Sequence, residues 1–259
     1  MAIHPTAIVD SSARLDTSVE IGPYAIIGAG VTLGRGTKVG PHALIEGPST
    51  FGEDNRIFGH AALGGPPQDL KYKGEPTTLV VGNRNTFREF ATAHRGTVIG
   101  HGTTVIGDDN LFMAYTHVAH DCVIGSRTIF ANGASLAGHC DVEDDAILGA
   151  YVGVRQFIRI GRHAFLGAFT AVNKDVLPVL WTSGDRPNKA WKVNSVGLSR
   201  KGYSDERVKS LQKAYRLLHR HRHDQKSLLA ELDSLTASSD DVKLLRDFIA
   251  DSTQGVYGA

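Results

Sequence analysis

Five polar side chains recur in this chain at a spacing that would gather them at one place on a coiled scaffold. They are His117, His120, Asp121, His139 and Gln156. His139 follows Asp121 by eighteen residues, and Gln156 follows His120 by twice eighteen. If one turn of the scaffold takes eighteen residues, all five lie along one edge of it. Three histidines, a carboxylate and an amide on one edge indicate a site for chemistry.

Two kinds of chemistry suit this cluster. A neutral imidazole is a general base near neutral pH because its ordinary pKa is about 6.5. Asp121 would orient His120, although adjacent residues of a strand point to opposite faces, so the pair requires a sharp bend. Alternatively, three histidines bind zinc and activate water, as in carbonic anhydrases with six-residue repeats. Zinc binding would not explain the polar loop at residues 64–80 or the terminal helices.

The scaffold that positions these residues is indicated by a six-residue repeat. An aliphatic or aromatic residue stands at every sixth position from Ile3 to Leu63, and again from Val81 to Val172 with a one-residue slip near residues 99–106. A period of six fits neither a helix nor a simple strand, and it is typical of a solenoid. We predict a mainly β fold, a parallel β-helix with three short strands in each eighteen-residue coil. The slip is assigned no function.

The repeat ends near Pro178, the segment at residues 178–202 is predicted to be loop-like, and helical periodicity follows it. Ser204 is a predicted N-cap for a first helix, and Ser239 precedes a helix with two aspartates in its first turn. We therefore predict a β-helix at residues 1–190, with an excursion loop at residues 64–80, and a C-terminal helical domain at residues 191–259.

The composition argues against several classes of partner. Lys and Arg number 28 and Asp and Glu 27, so the net charge of +1 predicts neither nucleic-acid binding nor general attraction to membranes. No apolar stretch approaches the ~18 residues that span a bilayer. The repeat begins at Ile3 with no leader pattern before it, so we expect a cytoplasmic protein. Cys122 and Cys140, eighteen residues apart, are expected to be buried free thiols.

Motifs along nearly the whole chain resemble those of one enzyme family. In chain order they are Gln68-Asp-Leu-Lys-Tyr72, Gly74-Glu-Pro-Thr77, His94-Arg-Gly-Thr97, His117-Val-Ala-His-Asp-Cys122, Leu136-Ala-Gly-His139, Gly197-Leu-Ser-Arg-Lys-Gly202 and Ser252-Thr-Gln-Gly255. Together they resemble the acyl-carrier-protein-dependent UDP-N-acetylglucosamine O-acyltransferases, which begin lipid A (lipopolysaccharide) synthesis. The resemblance implies a left-handed β-helix and a homotrimer with active sites in the grooves between prisms. It implies no metal and no cofactor, because the acyl donor is a carrier-protein thioester.

The resemblance also implies roles for individual residues. His120 would take the proton from the sugar 3-hydroxyl, Asp121 would support His120, and the Gly138 N–H would bind the oxyanion. The positions implied to bind the UDP-sugar are Gln68, Asp69, Lys71, His117, His139, Gln156, Asn194, Arg200 and Lys201. Those implied to dock the acidic carrier protein are Arg216, Arg220 and Arg222.

Three positions differ from better-known members of that family. Arg155 stands where a histidine is familiar, and Val196 where a glutamate is familiar. Ala168 stands where the residue size sets the length of the acyl chain, which predicts an (R)-3-hydroxyacyl chain of medium or long length. The acceptor is expected to be the 3-hydroxyl of UDP-N-acetylglucosamine, with a 3-amino UDP-sugar as the alternative. A non-catalytic β-helix scaffold is the alternative outside enzymes.

Overall fold

The six-residue repeat folds into very short strands joined by sharp corners. The structure is a computed structural model that describes residues 2–184, 188–221 and 223–257. The strands up to the one-residue slip are β1 (Ala2–Ile3), β2 (Ile8–Val9), β3 (Arg14–Leu15), β4 (Glu20–Ile21), β5 (Ile26–Ile27), β6 (Val31–Leu33), β7 (Lys38–Val39), β8 (Leu44–Ile45), β9 (Ser49–Phe51), β10 (Arg56–Ile57), β11 (Ala62–Gly65), β12 (Thr78–Val81), β13 (Thr86–Phe87), β14 (Thr92–His94) and β15 (Thr103–Ile106). The later strands are β16 (Leu111–Phe112), β17 (His117–Val118), β18 (Val123–Ile124), β19 (Ile129–Phe130), β20 (Ser135–Leu136), β21 (Asp141–Val142), β22 (Ile147–Leu148), β23 (Gly153–Val154), β24 (Arg159–Ile160), β25 (Phe165–Leu166), β26 (Ala171–Val172), β27 (Leu180–Ser183) and β28 (Lys189–Val193).

These strands form the three faces of a triangular prism. Counted over the residues that the structure describes, sheet A has eleven strands in the order β1-β4-β7-β10-β13-β16-β19-β22-β25-β27-β28. Sheet B has nine, β2-β5-β8-β11-β14-β17-β20-β23-β26, and sheet C has eight, from β3 to β24. Among the described strands every neighbouring pair is parallel except β27 with β28. Each strand therefore hydrogen-bonds to the same face of the coil before and after it, which is the predicted parallel β-helix.

The corners between faces explain how side chains form columns. The second residue of a corner commonly has a left-handed backbone, with φ of 58° at Asp121 and 61° at His139. Successive corners stack, so their side chains lie above one another. The corner from sheet A to sheet B carries an exposed aromatic edge, which comprises Tyr24, His42, His60, Phe90, Tyr115, Tyr151 and Phe169. In its first five members, neighbouring ring centroids lie between 4.9 and 5.2 Å apart.

The interior of the prism is filled by the large apolar residue of each hexad. Phe51, Phe87, Phe112 and Phe130 are its largest fully buried side chains, and the rings of Phe87 and Phe112 stack with centroids 4.7 Å apart. Cys122 and Cys140 are free thiols buried in the same core, as predicted. Burial of aliphatic and aromatic side chains is the main stabilising contribution to such a fold.

The C-terminal part is helical and has its own core. Its helices are α1 (Ser195–Arg200), α2 (Asp205–Arg220), α3 (Gln225–Thr236) and α4 (Asp240–Asp251). The predicted N-cap Ser204 is confirmed, since its side chain accepts a hydrogen bond from Arg207 N, and Ser239 caps α4 in the same way by accepting from Val242 N. After α4 the chain returns to the prism, where Tyr257 is buried against the last coil and its hydroxyl accepts from Asn173 N at 2.6 Å. This return ties the two cores together.

The segment at residues 178–202, predicted to be loop-like, contains regular structure. Strands β27 and β28 form an antiparallel hairpin on sheet A, and helix α1 follows it directly. The predicted domain boundary after residue 190 falls inside β28. A second core begins at Leu177 and joins this hairpin to the helices. Within the described ranges, the helices are all too short or too polar to cross a membrane.

Candidate active site

Three successive corners from sheet B to sheet C bring four of the five predicted polar residues together, and His117 lies beside them on strand β17 instead of at the edge. This histidine edge comprises His120 and Asp121, then Gly138 and His139, then Gln156 and Phe157. The His139 N–H donates to the His120 carbonyl at 3.0 Å, and the ring of Phe157 stacks on that of His139 at 4.6 Å. Two excursions of the chain, at residues 66–77 and 95–102, leave from the same edge.

The carboxylate of Asp121 is completely buried and receives several hydrogen bonds. Thr97 donates its N–H at 3.0 Å to each carboxylate oxygen and its hydroxyl at 2.7 Å, and His101 N donates at 2.9 Å. Burial would raise the pKa of Asp121, but the hydrogen bonds from Thr97 and His120 outweigh burial and lower it below 3.8. Asp121 is therefore a fixed negative charge at neutral pH.

His120 is held by this carboxylate. Its Nδ1 lies 2.8 Å from Oδ2 of Asp121, and 15% of its side chain is exposed. The left-handed φ of Asp121 supplies the sharp bend that the pair requires. A carboxylate that accepts from Nδ1 selects the tautomer whose Nε2 carries a lone pair. The arrangement can therefore accept a proton at Nε2 and stabilise the positive charge that forms.

Two glycines leave the space that this pair occupies. A Cβ atom at Gly138 would lie 2.5 Å from Cε1 and 2.7 Å from Nε2 of His120. A Cβ atom at Gly100 would lie 2.4 Å from Cγ of Asp121. Neither glycine has a left-handed φ, so the requirement for glycine is one of space. Within the described residues, the Gly138 N–H donates to no protein acceptor and is free for a ligand.

Three other histidines near this edge, His94, His117 and His139, have lowered pKa values and are uncharged at neutral pH. Burial, and then the neighbouring His120, lowers the pKa of His117. Burial also lowers the pKa of His139, although Asp121 opposes the shift. Burial lowers the pKa of His94 to about 4, and its Nδ1 has no partner in the described part of the chain. The ring of His94 packs edge-on against His117, whose Nδ1 lies 2.8 Å from the Thr92 hydroxyl. These groups offer neutral polar contacts.

A metal ion is the other ligand to weigh at this edge. His120, Asp121 and His139 offer ligand-type atoms that all lie within 4.8 Å of one another. The carboxylate of Asp121, however, already accepts hydrogen bonds from Thr97, His101 N and His120. A metal would have to displace those donors from a fully buried group, at a cost of about 1–3 kcal/mol for each donor left unpaired. The donor set therefore fits a hydrogen-bonded base better than a metal ligand.

The loop at residues 64–80 lies beside the histidine edge. Arg95 holds its base, donating to the carbonyls of Gly47 and Gly64 at 2.8 and 2.6 Å. Asp69 is half-buried, accepts from Lys71 N at 2.9 Å, and its charge acts on His139. Gln68 and Lys71 are exposed. The structure thus places Asp69 close enough to His139 for its charge to act on it, and Lys71 lines the same small cleft as Thr97.

The predicted nucleotide residues lie elsewhere. Asn194 and Arg200 line a cavity of about 270 Å³ on sheet A, where Asn194 caps helix α1 by accepting from Gly197 N at 3.2 Å. The exposed Val196 lies at the same cavity. Lys201 does not line the cavity, and its Nζ lies 2.6 Å from Oδ1 of Asp145. In a triangular prism sheet A is opposite the edge between sheets B and C. One copy of the chain therefore does not bring the two groups together.

The remaining predicted positions lie on three other surfaces. Ala168 is exposed at the aromatic edge, next to Phe169. Arg216 and Arg220 line a groove between α2 and α3, where Arg220 pairs with Glu231 at 3.3 Å. Arg222 lies outside the described residues. Arg155, one of the departures, donates to the Gln254 side chain at 2.6 Å and so fastens the C-terminal return to the prism.

Two parts of the site were missed by sequence reasoning. Residues 95–102, the region of the slip, clamp Asp121 through Thr97 and the His101 N–H. Lys192, in the segment predicted as a loop, lines the sheet A cavity. Gly100, Gly102 and Gly107 around the slip were the available signal for the first part. A backbone N–H group can donate whatever the residue type, so nothing in the sequence indicated that residues 95–102 hold the carboxylate of Asp121.

Comparison with known proteins identifies the family. The chain matches the model described as Udp N-acetylglucosamine O-acyltransferase, Domain 2, over residues 175–257, and that described as bacterial transferase hexapeptide (six repeats) over residues 12–47 and 103–138. It is 50% identical over 254 residues to an acyl-[acyl-carrier-protein]–UDP-N-acetylglucosamine O-acyltransferase from Thiobacillus denitrificans, with 98% of each chain covered.

Solved structures agree with this. LpxA from Acinetobacter baumannii has a TM-score of 0.96 and 40% identity, covering 99% of this chain and 100% of that one. UDP-N-acetylglucosamine acyltransferase from Francisella novicida has a TM-score of 0.95 and 36% identity, covering 98% and 93%. The fold is the left-handed parallel β-helix that the repeat and the resemblance predicted. The chain belongs to the family of acyl-[acyl-carrier-protein]–UDP-N-acetylglucosamine O-acyltransferases.

Proposed function

We propose that this chain transfers an (R)-3-hydroxyacyl group from acyl carrier protein to the 3-hydroxyl of UDP-N-acetylglucosamine, the first step of lipid A synthesis. The observation that carries the proposal is the His120–Asp121 pair, with Nδ1 of His120 fixed and the opposite ring nitrogen available as a base. Family membership over nearly the whole chain supports the two substrates.

In the proposed reaction, Nε2 of His120 accepts the proton of the sugar 3-hydroxyl while that oxygen attacks the thioester carbonyl. The free N–H of Gly138 donates to the oxygen that becomes negative. Collapse of the intermediate breaks the carbon–sulfur bond, and the proton on His120 passes to the departing thiolate. Asp121 stabilises the imidazolium between these steps, since it stays ionised at neutral pH. Neutral His117 and His139 would hydrogen-bond the sugar without competing for the proton.

The separation of the two groups of predicted residues supports a homotrimer. The aromatic edge exposes more than half of Tyr115, Tyr151 and Phe169 in a single copy, an apolar stripe that favours burial. It is flanked by half-exposed Ile129, Ile147 and Phe165 on sheet A and by exposed Ile8 and Ile26 on sheet B.

If three copies meet along the aromatic edge, sheet A of one copy faces sheet B of the next. The cavity that holds Asn194 and Arg200 then approaches the histidine edge of the neighbouring copy. From the copy with the histidine edge, the sugar would meet Gln68, Asp69, Lys71 and Gln156. Lys201 remains a candidate for substrate binding. Sedimentation equilibrium tests the assembly. A monomer of 27.8 kDa at assay concentrations would contradict it.

The same arrangement supports a location for the acyl chain and a docking site for its carrier protein. An acyl chain that starts at His120 would cross the width of sheet B and end near the aromatic edge, where Ala168 lies. A small alanine there supports a chain of medium or long length. The basic residues Arg216 and Arg220, near the C-terminal end of α2, would dock the acidic carrier protein, with Arg222 as a further candidate. We also keep the predicted cytoplasmic location, which the free thiols favour.

One experiment tests the reaction and separates the alternatives. The full-length protein, freed of metal with a chelator, is incubated with a ladder of (R)-3-hydroxyacyl carrier proteins and either UDP-N-acetylglucosamine or its 3-amino analogue. Mass spectrometry is expected to find one acylated UDP-N-acetylglucosamine. If only the 3-amino analogue is acylated, the acceptor is the 3-amino UDP-sugar and the product is an amide. No acylated product, together with zinc-dependent hydration of carbon dioxide, would replace it with the anhydrase function.

A further inference from the structure

Among the described residues that line it, the cavity on sheet A carries two positive side chains and no acid. Phe165 and Trp181 form one wall, with ring centroids 5.6 Å apart, and Asn194, Lys192 and Arg200 supply the polar groups. Its volume of about 270 Å³ suits part of a ligand such as a nucleoside with its first phosphates. An aromatic wall beside uncompensated cations matches a ligand that joins a flat ring to a negative charge.

Lys192 is the cation that this wall positions. Its Nζ lies 4.3 Å from the centroid of the Trp181 ring, which holds the ammonium group over the cavity. In the described ranges of the chain, no carboxylate lies within ion-pair distance of Lys192. A cation over a ring contributes about 0.5–1 kcal/mol at an exposed site. That is weak enough for the ammonium group to turn to a phosphate.

Lys201 contrasts with Lys192 in its electrostatic environment. Its ammonium group lies 2.6 Å from Asp145, a buried carboxylate that also pairs with Arg127 at 3.0 Å. The charge of Lys201 is therefore already compensated within the fold, and moving it to a ligand would leave Asp145 with one partner fewer. An uncompensated lysine at the cavity is the better electrostatic partner for an incoming anion.

We propose that Lys192 binds the diphosphate of the UDP-sugar in this cavity, with Trp181 and Phe165 as the wall along which the nucleotide lies. The inference rests on the proposed function, because it takes a nucleoside-diphosphate sugar as the ligand. Lysine binds phosphate as a point charge and needs no fixed geometry, which suits a side chain that swings from a ring to an anion.

The test compares UDP with uridine, which lacks the phosphates. Binding of each to the full-length protein is measured by calorimetry for the wild type and for Lys192→Met, whose unbranched side chain still covers Trp181. We expect UDP to bind about 10-fold more weakly to Lys192→Met, as for one lost charge-assisted contact, and uridine to bind as before. Lys192→Arg keeps the charge and is expected to retain UDP affinity.

Lys189→Met is the matched control. Lys189 lies on the same strand and also over a tryptophan ring, 5.7 Å from the centroid of Trp191, but it does not line the cavity. UDP affinity that is unchanged in Lys192→Met would overturn the inference, as would an equal loss for UDP and uridine. If the wild type acylates UDP-N-acetylglucosamine, either result refutes only the role of Lys192 and leaves the proposed function standing. A wild type that binds no UDP refutes the proposed function as well.

Discussion

Replacing Gly138 with alanine adds one methyl group where the structure has no room for it. The new Cβ would lie 2.5 Å from Cε1 and 2.7 Å from Nε2 of His120, whereas ordinary contacts lie at 3.4–4 Å. The imidazole must therefore retreat by about 1 Å, and a misplacement of that size in a reacting group costs roughly 100-fold in rate. The backbone N–H at residue 138 is kept, so the donor to the oxyanion is still present.

The assay is steady-state acyl transfer with kcat and KM determined separately. For Gly138→Ala we expect kcat to fall about 100-fold, with little change in KM for the UDP-sugar, because the displaced group is the base and not the sugar-binding surface. Circular dichroism checks the fold. Gly138 has no left-handed φ, so alanine causes no backbone strain.

Gly153→Ala is the control for the added methyl group. A Cβ atom at Gly153 meets nothing within 4 Å, and its strand neighbours Ser135 and Ala171 already carry one. This variant is expected to fold like the wild type and to lose far less kcat than Gly138→Ala, because its added methyl group does not touch His120. A folded Gly138→Ala protein whose kcat is within about threefold of wild type would refute the view that space at Gly138 sets the position of His120.

Three further predictions concern the groups around this pair. Asp121 has a lowered pKa, so its stabilising contribution is present above pH 3.8 and is lost as the pH falls through its folded-state pKa. Thr97→Val removes a donor and is expected to move acid unfolding, followed by circular dichroism, to higher pH. Thr116→Val is the control, because the buried Thr116 hydroxyl has no partner among the described residues, and it should leave the midpoint of acid unfolding unchanged. Equal midpoints for the wild type, Thr97→Val and Thr116→Val would contradict this prediction. The pKa of His94 is lowered from 6.5 to about 4, so folding favours its neutral form and stability falls as the pH drops from 6.5 towards 4. His94→Gln should flatten that fall in urea unfolding at pH 7 and pH 5, and an unchanged slope would count against it. Gly100→Ala places a Cβ 2.4 Å from Cγ of Asp121 and should cost about 1–3 kcal/mol of unfolding free energy; an unchanged melting temperature would contradict the clamp.

The prism was predictable because every coil repeats the same local requirement. One large apolar residue must point inward in each hexad, so the pattern is visible even where single hexads are irregular. The sequence predicted that His120 pairs with Asp121 only if the chain bends sharply between them, but it could not show that the bend exists. The left-handed φ of Asp121 provides that bend, and the same conformation recurs at His139 on the next coil.

Other features depend on contacts that a sequence does not display. The hairpin of β27 and β28 pairs two short strands across residues 184–188, and its alternation is too brief to indicate a strand. Helix α1 contains Gly197, which weakens a helical pattern. The clamp on Asp121 uses backbone N–H groups, and the separation of Lys192 from the acidic side chains of the described residues depends on the packing of the hairpin.

The central claim is that His120 acts as the base of an acyl transfer, and the rate of the His120→Ala variant tests it most directly. Product formation from (R)-3-hydroxyacyl carrier protein and UDP-N-acetylglucosamine is measured at saturating substrate, with UDP binding measured on the same preparation. Because a positioned base contributes about 10²- to 10⁴-fold, we expect His120→Ala to lose at least 100-fold in kcat with UDP affinity unchanged. A His120→Ala protein that keeps more than about a tenth of the wild-type rate would contradict a role of His120 as the base.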